Sequence, residues 1–271
     1  MVASLEQVVA AGLADPAVAA VVAAGDWYLV GSRALGLSDG LSDWDTLVFV
    51  DAARASAGLS RAHLDRVFGV ARAEMGWPPD LAGHIRWRGV AGVDVEVVDP
   101  RARERRERDG LAQWAHEMHH AVPLRASTGI GERYRARIAA RFAEAAGDLA
   151  EQAYRAFRLA RNQAVASLAR SDGATQALTG AQCVCEAARF WLLADAQPHP
   201  SDKWLLAALA ASPGTESLVD AMRGAIDASC DPAARFDALW RLWRLVDERA
   251  FGSAIDPALL GGSPFAAARR P

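Results

Sequence analysis

Two neighbouring segments decide how the N-terminal part of this chain folds. Residues 30–36 have the sequence VGSRALG, and residues 42–50 have the sequence SDWDTLVFV. The first segment follows the apolar, aromatic run 27–30, which predicts a short buried strand that ends in a turn rich in Gly and Ser. The second segment begins with two aspartates and continues into the apolar run 46–50, which predicts a second strand.

Asp43 and Asp45 stand two residues apart at the start of the second predicted strand. Side chains two residues apart in a strand leave the same face, so we expect the two carboxylates side by side. Such carboxylates repel each other unless a cation lies between them, which makes the pair a candidate Mg²⁺ site. For an isolated Asp-x-Asp sequence, the alternative is an exposed turn with two solvated acids.

The residues around this pair favour the metal site. If a short helix begins after the first strand, the backbone N–H groups of Gly31 and Ser32 and the Ser32 hydroxyl are suited to hold phosphate oxygens. Further along the chain, Asp94 and Glu96 lie on one face of a predicted strand over 93–98. An acid on a neighbouring strand can complete a two-metal site that activates a hydroxyl and holds a triphosphate.

This combination resembles the Gly-Ser-x(n)-Ser-Asp-x-Asp motif of the nucleotidyltransferase superfamily that includes DNA polymerase beta. The resemblance covers about 70 residues of the N-terminal part. Together with the helical C-terminal half, it is similar to the antibiotic-modifying branch, the aminoglycoside and lincosamide nucleotidyltransferases. It implies that Gly31 and Ser32 bind the nucleotide and that Asp43 and Asp45 hold two Mg²⁺ ions. The adjacent Arg33 is a further candidate for nucleotide binding, which the resemblance itself does not assign.

The resemblance also implies a third carboxylate, as metal ligand or base. Glu96 matches it best, and Asp94, on the same strand face, stays open. Lys203 is the only lysine in an arginine-rich chain and lies in a Pro-, Ser- and Trp-containing segment, PHPSDKW. That segment resembles one in related helical domains whose lysine approaches the nucleotide phosphates. An exposed surface lysine, paired with Asp202 or with nothing, is the alternative.

The implied function is Mg²⁺-dependent transfer of AMP, or another NMP, from ATP or another NTP to a hydroxyl of a small molecule such as an antibiotic. A non-catalytic, regulatory module with the same fold is the first alternative. A zinc hydrolase is the second, because HEMHH matches His-Glu-x-x-His, with His116 and His120 as ligands and Glu117 as base. A solvated helix end is favoured there, since Pro123 follows closely and no histidine follows at a usual third-ligand spacing.

The chain changes its pattern after about residue 101. Before this point, helical segments (from residue 5, over 16–25 and over 60–75) alternate with strands, and the strands 84–88 and 93–98 are expected to form a hairpin. After it we expect only helices, over 132–169, 175–196, 202–211, 215–228 and 233–250. The arginine-rich run 101–108 is interpreted as a solvated helix face.

We therefore predict an α+β fold with two domains. A nucleotidyltransferase domain with a small mixed sheet, residues 1–122, precedes a linker over 123–131. A helical substrate-binding bundle, residues 132–271, follows. A Glu in this bundle, Glu186, is a candidate substrate-side base, and a helix-surface position is its simpler interpretation.

Composition excludes several other classes of protein. Hydrophobic residues make up 52% and charged residues 23%, with a net charge of −3, as in ordinary globular proteins. Up to residue 130 there are 13 basic and 17 acidic residues, and afterwards 17 and 16, so neither half has the basic excess of a nucleic-acid binder. The longest uncharged run has 13 residues, whereas a membrane span needs about 18. With no basic leader segment and no metal-like cysteine spacing, we expect a reduced, cytoplasmic protein.

Overall fold

The structure of the protein is a computed structural model. It describes residues 5–14, 25–38, 42–50, 84–88, 93–98, 110–169, 173–227 and 231–253, together with residues 19, 23, 107 and 229. The chain divides into two units, Met1–Arg141 and Phe142–Pro271. The division falls within one long helix, Ile130–Leu168, so each unit contains part of this helix.

The first unit is built on a five-stranded mixed sheet. Its elements are helix α1 (Leu5–Ala14), strand β1 (Gly25–Val30), helix α2 (Gly31–Ala34), strands β2 (Trp44–Val50), β3 (His84–Arg88) and β4 (Val93–Val98), helix α3 (Leu111–His120), strand β5 (Val122–Arg125) and the first turns of helix α4 (Ile130–Leu168). The strand order is β3-β4-β2-β1-β5, with β2 in the centre. Strand β2 runs antiparallel to β1 and parallel to β4, while β3 and β4 form an antiparallel pair.

The aromatic residues of the two central strands form the core of this unit. Every residue of β1 is buried, as are residues 46–50 of β2. The ring of Phe49 lies edge-on to that of Tyr28 at 5.6 Å and next to that of Tyr134 from α4 at 4.8 Å, between centroids. Such pairs contribute about 0.5–1.5 kcal/mol each beyond the burial of their surface. The apolar runs on either side of the Gly31 turn therefore fix the centre of the sheet.

The predicted strands correspond closely to the observed ones. Both central strands begin two residues earlier than predicted, at Gly25 and at Trp44. The predicted hairpin is confirmed as β3 and β4. The predicted α+β class, with a small mixed sheet followed by helices, is also confirmed. The helices predicted over 60–75 and, except for residues 19 and 23, over 16–25 lie outside the described residues.

Strand β5 is the element that the sequence analysis missed. It pairs antiparallel with β1 at the edge of the sheet, although only helices were expected after residue 101. Its four residues, VPLR, have no apolar alternation, and the edge position tolerates Pro123, which cannot donate a ladder hydrogen bond. The segment predicted as a linker over 123–131 therefore forms β5, the turn after it and the start of α4.

A buried carboxylate connects β1 to the start of α4. Asp26 is 0% exposed, and its Oδ1 accepts hydrogen bonds from the backbone N–H groups of Ser127 and Thr128, both at 2.7 Å. Its Oδ2 accepts a third from Gly131 at 2.9 Å. Burial alone opposes ionisation, but these hydrogen bonds outweigh it and lower the pKa of Asp26. The carboxylate thus satisfies the Gly131 N–H, which the helix start leaves without an intrahelical partner, and two N–H groups of the turn before the helix.

A second buried acid lies in the arginine-rich run 101–108, whose arginines are outside the described residues. Glu107, the one residue of this run that the structure describes, is 0% exposed. Its two carboxylate oxygens accept hydrogen bonds from Arg137 at 3.0 Å and from Arg141 at 2.7 Å, one helical turn apart on α4. A buried carboxylate requires such charged partners, so Glu107 packs against α4 instead of facing solvent.

The second unit consists of helices. After the rest of α4 it contains helix α5 (Gly173–Ala194), a 3₁₀ turn (Asp202–Trp204), and helices α6 (Leu205–Ala210), α7 (Glu216–Ile226) and α8 (Pro232–Phe251). All five predicted helical segments are present with small shifts at their ends. Buried Asp247 of α8 accepts hydrogen bonds from the Tyr154 hydroxyl at 2.8 Å and the Trp243 indole at 2.7 Å.

Across the described part of both units, no helix is long and apolar enough to cross a membrane.

Candidate functional site

The turn at the end of β1 brings Gly31 against Asp45. The backbone of Gly31 has φ of +70°, a conformation that favours glycine. A Cβ atom at this position would lie 2.3 Å from Oδ2 of Asp45, closer than any side chain is tolerated. The Asp45 carboxylate therefore fits in this position only because residue 31 has no side chain. The sequence predicts both residues at one site, and the structure brings them into contact.

The sheet fixes the backbone of Asp45 on both sides. Asp45 pairs with Val30 of β1 and with Asp94 of β4. Its side chain is half-buried, whereas Asp43 is exposed and lies one residue before β2 begins. The expectation that both carboxylates leave the same face rested on strand geometry, and the strand starts between them. That expectation therefore stays a prediction.

The register of β4 distinguishes the two candidates for a third carboxylate. Asp94 stands directly opposite Asp45, and Glu96 stands opposite Leu47, two residues further from the turn. Neighbouring strands are about 4.8 Å apart, and two residues along a strand add about 6.6 Å. The backbone of Asp94 is thus much closer to that of Asp45 than the backbone of Glu96 is.

Ser32 and Arg33 belong to the short helix α2 after the turn. The Ser32 side chain is buried. The backbone carbonyl of Ser32 accepts a hydrogen bond from the backbone N–H of Leu37 at 2.9 Å. The guanidinium group of Arg33 donates hydrogen bonds to the backbone carbonyls of Ser42 and Asp43. The predicted nucleotide-binding loop is therefore connected to the segment that carries the aspartate pair.

Lys203 lies in the 3₁₀ turn of the second unit. It is exposed, with its ammonium nitrogen 5.3 Å from the centroid of the Trp204 ring. The neighbouring Asp202 accepts a hydrogen bond from Arg189 at 2.5 Å. The same arginine also donates to Glu186 at 2.5 Å. The 3₁₀ turn is thus anchored to α5 through Arg189, and the role of Lys203 stays a prediction.

Glu186 is more than a solvated helix-surface acid. It is half-buried, and burial raises its pKa although the paired Arg189 lowers it. His199, just before the 3₁₀ turn, donates a hydrogen bond from its Nδ1 to the Pro200 carbonyl at 2.8 Å, and burial lowers the pKa of His199. Glu186 pairs with the arginine that also contacts Asp202 of the 3₁₀ turn, and its role as a substrate-side base stays a prediction.

The His-Glu-x-x-His sequence lies at the end of helix α3. The rings of His116 and His120 are 4.7 Å apart between centroids, and those of His119 and His120 are 4.9 Å apart. Burial and the neighbouring His119 lower the pKa of His120. Among the residues with described placement, no three His, Cys, Asp or Glu side chains form a group that could hold a metal ion. Helix α3 ends at His120, and the next residues form β5.

Comparison with solved structures finds a similarity to a nucleotidyltransferase-like protein from Exiguobacterium sibiricum 255-15. The two chains are 12% identical, the alignment covers 89% of this chain and 75% of that chain, and the TM-score is 0.42. No protein-family model and no curated protein matches the chain. The assignment of function therefore depends on the residues of the site.

Proposed function

We propose that this protein is a Mg²⁺-dependent nucleotidyltransferase that transfers AMP, or another NMP, from ATP or another NTP to a hydroxyl group of a small molecule. The contact between the Asp45 carboxylate and Gly31 carries the proposal. In this contact, an acid that can bind a metal lies next to a Gly-Ser turn that can bind phosphate. These are the two parts that the motif resemblance requires at one site.

The residues of the site suit Mg²⁺ by their chemistry. Mg²⁺ prefers oxygen ligands and binds through one or two carboxylates together with substrate phosphates. Asp43 is exposed and Asp45 is half-buried, so neither is shut off from solvent. When bound, Mg²⁺ offsets the negative charge of the triphosphate and favours the ionised form of the acceptor hydroxyl.

In this proposal the chain itself contributes positioning and a proton acceptor. Asp43 and Asp45 hold the metal, and the turn at Gly31 and Ser32 orients the phosphates. A carboxylate of β4 takes the proton of the acceptor hydroxyl, whose oxygen forms a bond to the α-phosphorus. The bond from that phosphorus to the bridging oxygen breaks, and pyrophosphate leaves in line.

The charge of the helical part favours an acceptor that is not strongly cationic. Beyond residue 130 the chain has 17 basic and 16 acidic residues, which is close to neutral. A polycation such as an aminoglycoside calls for an acid-rich surface. We therefore propose an antibiotic or metabolite of low positive charge as the acceptor.

The proposal is tested by incubating the protein with each NTP, Mg²⁺ and a panel of hydroxyl-containing antibiotics and metabolites. We expect pyrophosphate release that requires Mg²⁺ and one member of the panel, and a product heavier by one NMP in mass spectrometry. Release that persists in EDTA would contradict the proposed chemistry.

A first prediction concerns the third carboxylate. The resemblance favours Glu96, but the β-sheet register places Asp94 level with Asp45. We expect Asp94→Asn to lower kcat by about 100-fold or more, as for loss of a general base, and Glu96→Gln to have a much smaller effect. Steady-state kinetics of the two variants measure this. The reverse order would assign the role to Glu96 and leave the rest of the proposal in place.

A second prediction concerns Lys203. We propose that its exposed ammonium contacts the nucleotide phosphates, as the resemblance implies. Lys203→Ala should then lower kcat/KM for ATP by at least about tenfold, or about 1.4 kcal/mol, with little change in melting temperature. Lys203→Arg should restore only part of the loss, because a planar guanidinium needs a differently shaped site.

Arg241→Ala is the matched control for Lys203, since Arg241 is also an exposed cation of the second unit. It should leave the ATP kinetics unchanged. If Lys203→Ala behaves like this control, Lys203 is an ordinary surface residue.

A further inference from the structure

The guanidinium group of Arg33 is held against the backbone that leads into β2. Its Nε donates hydrogen bonds to the carbonyl oxygens of Ser42 and Asp43, both at 3.2 Å. Its Nη2 donates to the Ser42 carbonyl at 2.6 Å. The central carbon of the same group lies 4.2 Å from the centroid of the Trp44 ring. Arg33 thus contacts three consecutive residues, of which Asp43 is the first acid of the proposed metal pair.

The two acids of the pair are held by different means. Asp45 lies within the sheet, paired with Val30 and Asp94, and its carboxylate rests against Gly31. Asp43 precedes β2 and lies outside the residues that pair β2 with β1 or with β4. The contacts from Arg33 therefore act on the part of the site that the sheet does not order.

We propose that Arg33 is a positioning residue, which fixes the backbone of Asp43 and thereby the spacing of the two carboxylates that bind Mg²⁺. The inference rests on the proposed function. It assigns to Arg33 a role different from the direct contact with the nucleotide for which this residue is a candidate. Arg33 acts through Asp43 and is not itself a ligand of the metal or of the phosphates.

The chemistry of arginine explains why this position needs a guanidinium group. Its planar fork presents several N–H donors in fixed directions, so Arg33 can contact two neighbouring carbonyls while its face stacks on Trp44. A lysine ammonium has the same charge but no planar face and no fixed pair of donors. Lysine at residue 33 should therefore fail as a positioning residue, whereas it would partly replace a phosphate-binding arginine.

The test is the binding of Mn²⁺ alone, followed by electron paramagnetic resonance, in wild-type protein and in Arg33→Lys and Arg33→Gln. Loss of a residue that orients a metal ligand costs about 10- to 100-fold in metal affinity or activity. We expect both variants to bind Mn²⁺ at least about tenfold more weakly and to lose a similar factor in kcat. The KM for the NTP at saturating Mg²⁺ should stay within about twofold of the wild-type value, because uniform binding of the nucleotide is retained.

Variants of the stacking partner give an independent readout. Trp44→Leu removes the aromatic face under Arg33 and should weaken Mn²⁺ binding in the same direction, whereas Trp44→Phe retains an aromatic face and should largely restore it. Arg125→Gln, at an exposed arginine of β5, is the matched control and should bind Mn²⁺ like the wild type. Circular dichroism identifies any variant that does not fold, and such a variant is replaced by the more conservative member of its pair.

Three results decide the inference. Normal Mn²⁺ binding in Arg33→Lys and Arg33→Gln overturns the inference about Arg33. The proposed function is unaffected by that result as long as the wild-type protein transfers a nucleotide. A raised KM for the NTP in Arg33→Gln, with partial rescue in Arg33→Lys and unchanged Mn²⁺ binding, makes Arg33 a phosphate ligand and also overturns it. A wild-type protein that neither binds Mn²⁺ nor transfers a nucleotide overturns the proposed function and this inference with it.

Discussion

Replacing Asp45 with Asn should abolish nucleotide transfer, with a fall in kcat of about 1000-fold or more, while the protein remains folded. Asn has the same shape as Asp and fits the space beside Gly31, but it lacks the charge that a Mg²⁺ ligand supplies. Asp43→Asn should have the same effect. We predict that the two carboxylates repel each other in the metal-free protein, so loss of one charge should leave the melting temperature unchanged.

Asp220→Asn is the matched control for these variants, because Asp220 is an exposed aspartate of helix α7 in the second unit. Its activity should equal that of the wild type. The measurement is single-turnover transfer from a labelled NTP at saturating Mg²⁺. Full activity in either Asp43→Asn or Asp45→Asn would contradict the nucleotidyltransferase proposal, whatever the acceptor is.

The largest expected effect on stability is at Asp26. Asp26→Asn replaces one carboxylate oxygen with an NH₂ group. When this group takes the place of Oδ2, which accepts the hydrogen bond from the Gly131 N–H at 2.9 Å, two donors face each other and the hydrogen bond is lost. The substitution also removes the charge that strengthens the bonds from Ser127 and Thr128. The site is 0% exposed, so water cannot compensate. We expect the free energy of unfolding to fall by about 3 kcal/mol, measured by urea denaturation.

Asp231→Asn is the matched control for Asp26. Asp231 also accepts a backbone N–H at a helix start, from Ala234 at 2.7 Å, but it is exposed. Asn and Asp are nearly equivalent at such exposed N-caps, so this variant should change stability by less than about 0.5 kcal/mol. Equal effects of the two substitutions would mean that the buried network of Asp26 does not stabilise the first unit.

The contribution of Asp26 should depend on pH with a definite sign. Its pKa in the folded protein is below the ordinary value of 3.8, because backbone hydrogen bonds outweigh the effect of burial. The ionised carboxylate therefore stabilises the fold above the pKa of the unfolded chain, and this stabilisation is lost as the pH falls through the folded pKa. The difference between wild type and Asp26→Asn should be largest near neutral pH and should shrink in acid below pH 3.8.

The parts of the fold that the sequence predicted are those with local signals. The runs that became β1 and β2 are apolar and bounded by Gly, Ser and Asp, and the helices of the second unit have strong amphipathic periodicity. Strand β5 has no such signal. Its four residues are mostly exposed and contain Pro123, and they form a strand because β1 offers a free edge. A local sequence pattern cannot predict a strand that depends on its neighbour in this way.

The buried acids were missed for a related reason. Asp26 and Glu107 look like ordinary charged residues in the sequence, and their partners lie 101–105 and 30–34 residues away. Only the tertiary structure brings the N–H groups and the arginines to them. The contact between Gly31 and Asp45 is different, because the Gly-Ser and Asp-x-Asp segments already predicted a common site. The structure added the close approach that makes a glycine necessary there.

The central claim is that Asp43 and Asp45 bind a nucleotide through Mg²⁺, and it can be measured without knowing the acceptor. Isothermal titration calorimetry with a non-hydrolysable ATP analogue, or another NTP analogue if ATP is not the substrate, gives the affinity with Mg²⁺ and with EDTA. We predict binding that requires Mg²⁺ in the wild type and Asp220→Asn and that is lost in Asp45→Asn. Binding that is equally strong in EDTA, or unchanged in Asp45→Asn, would contradict the claim.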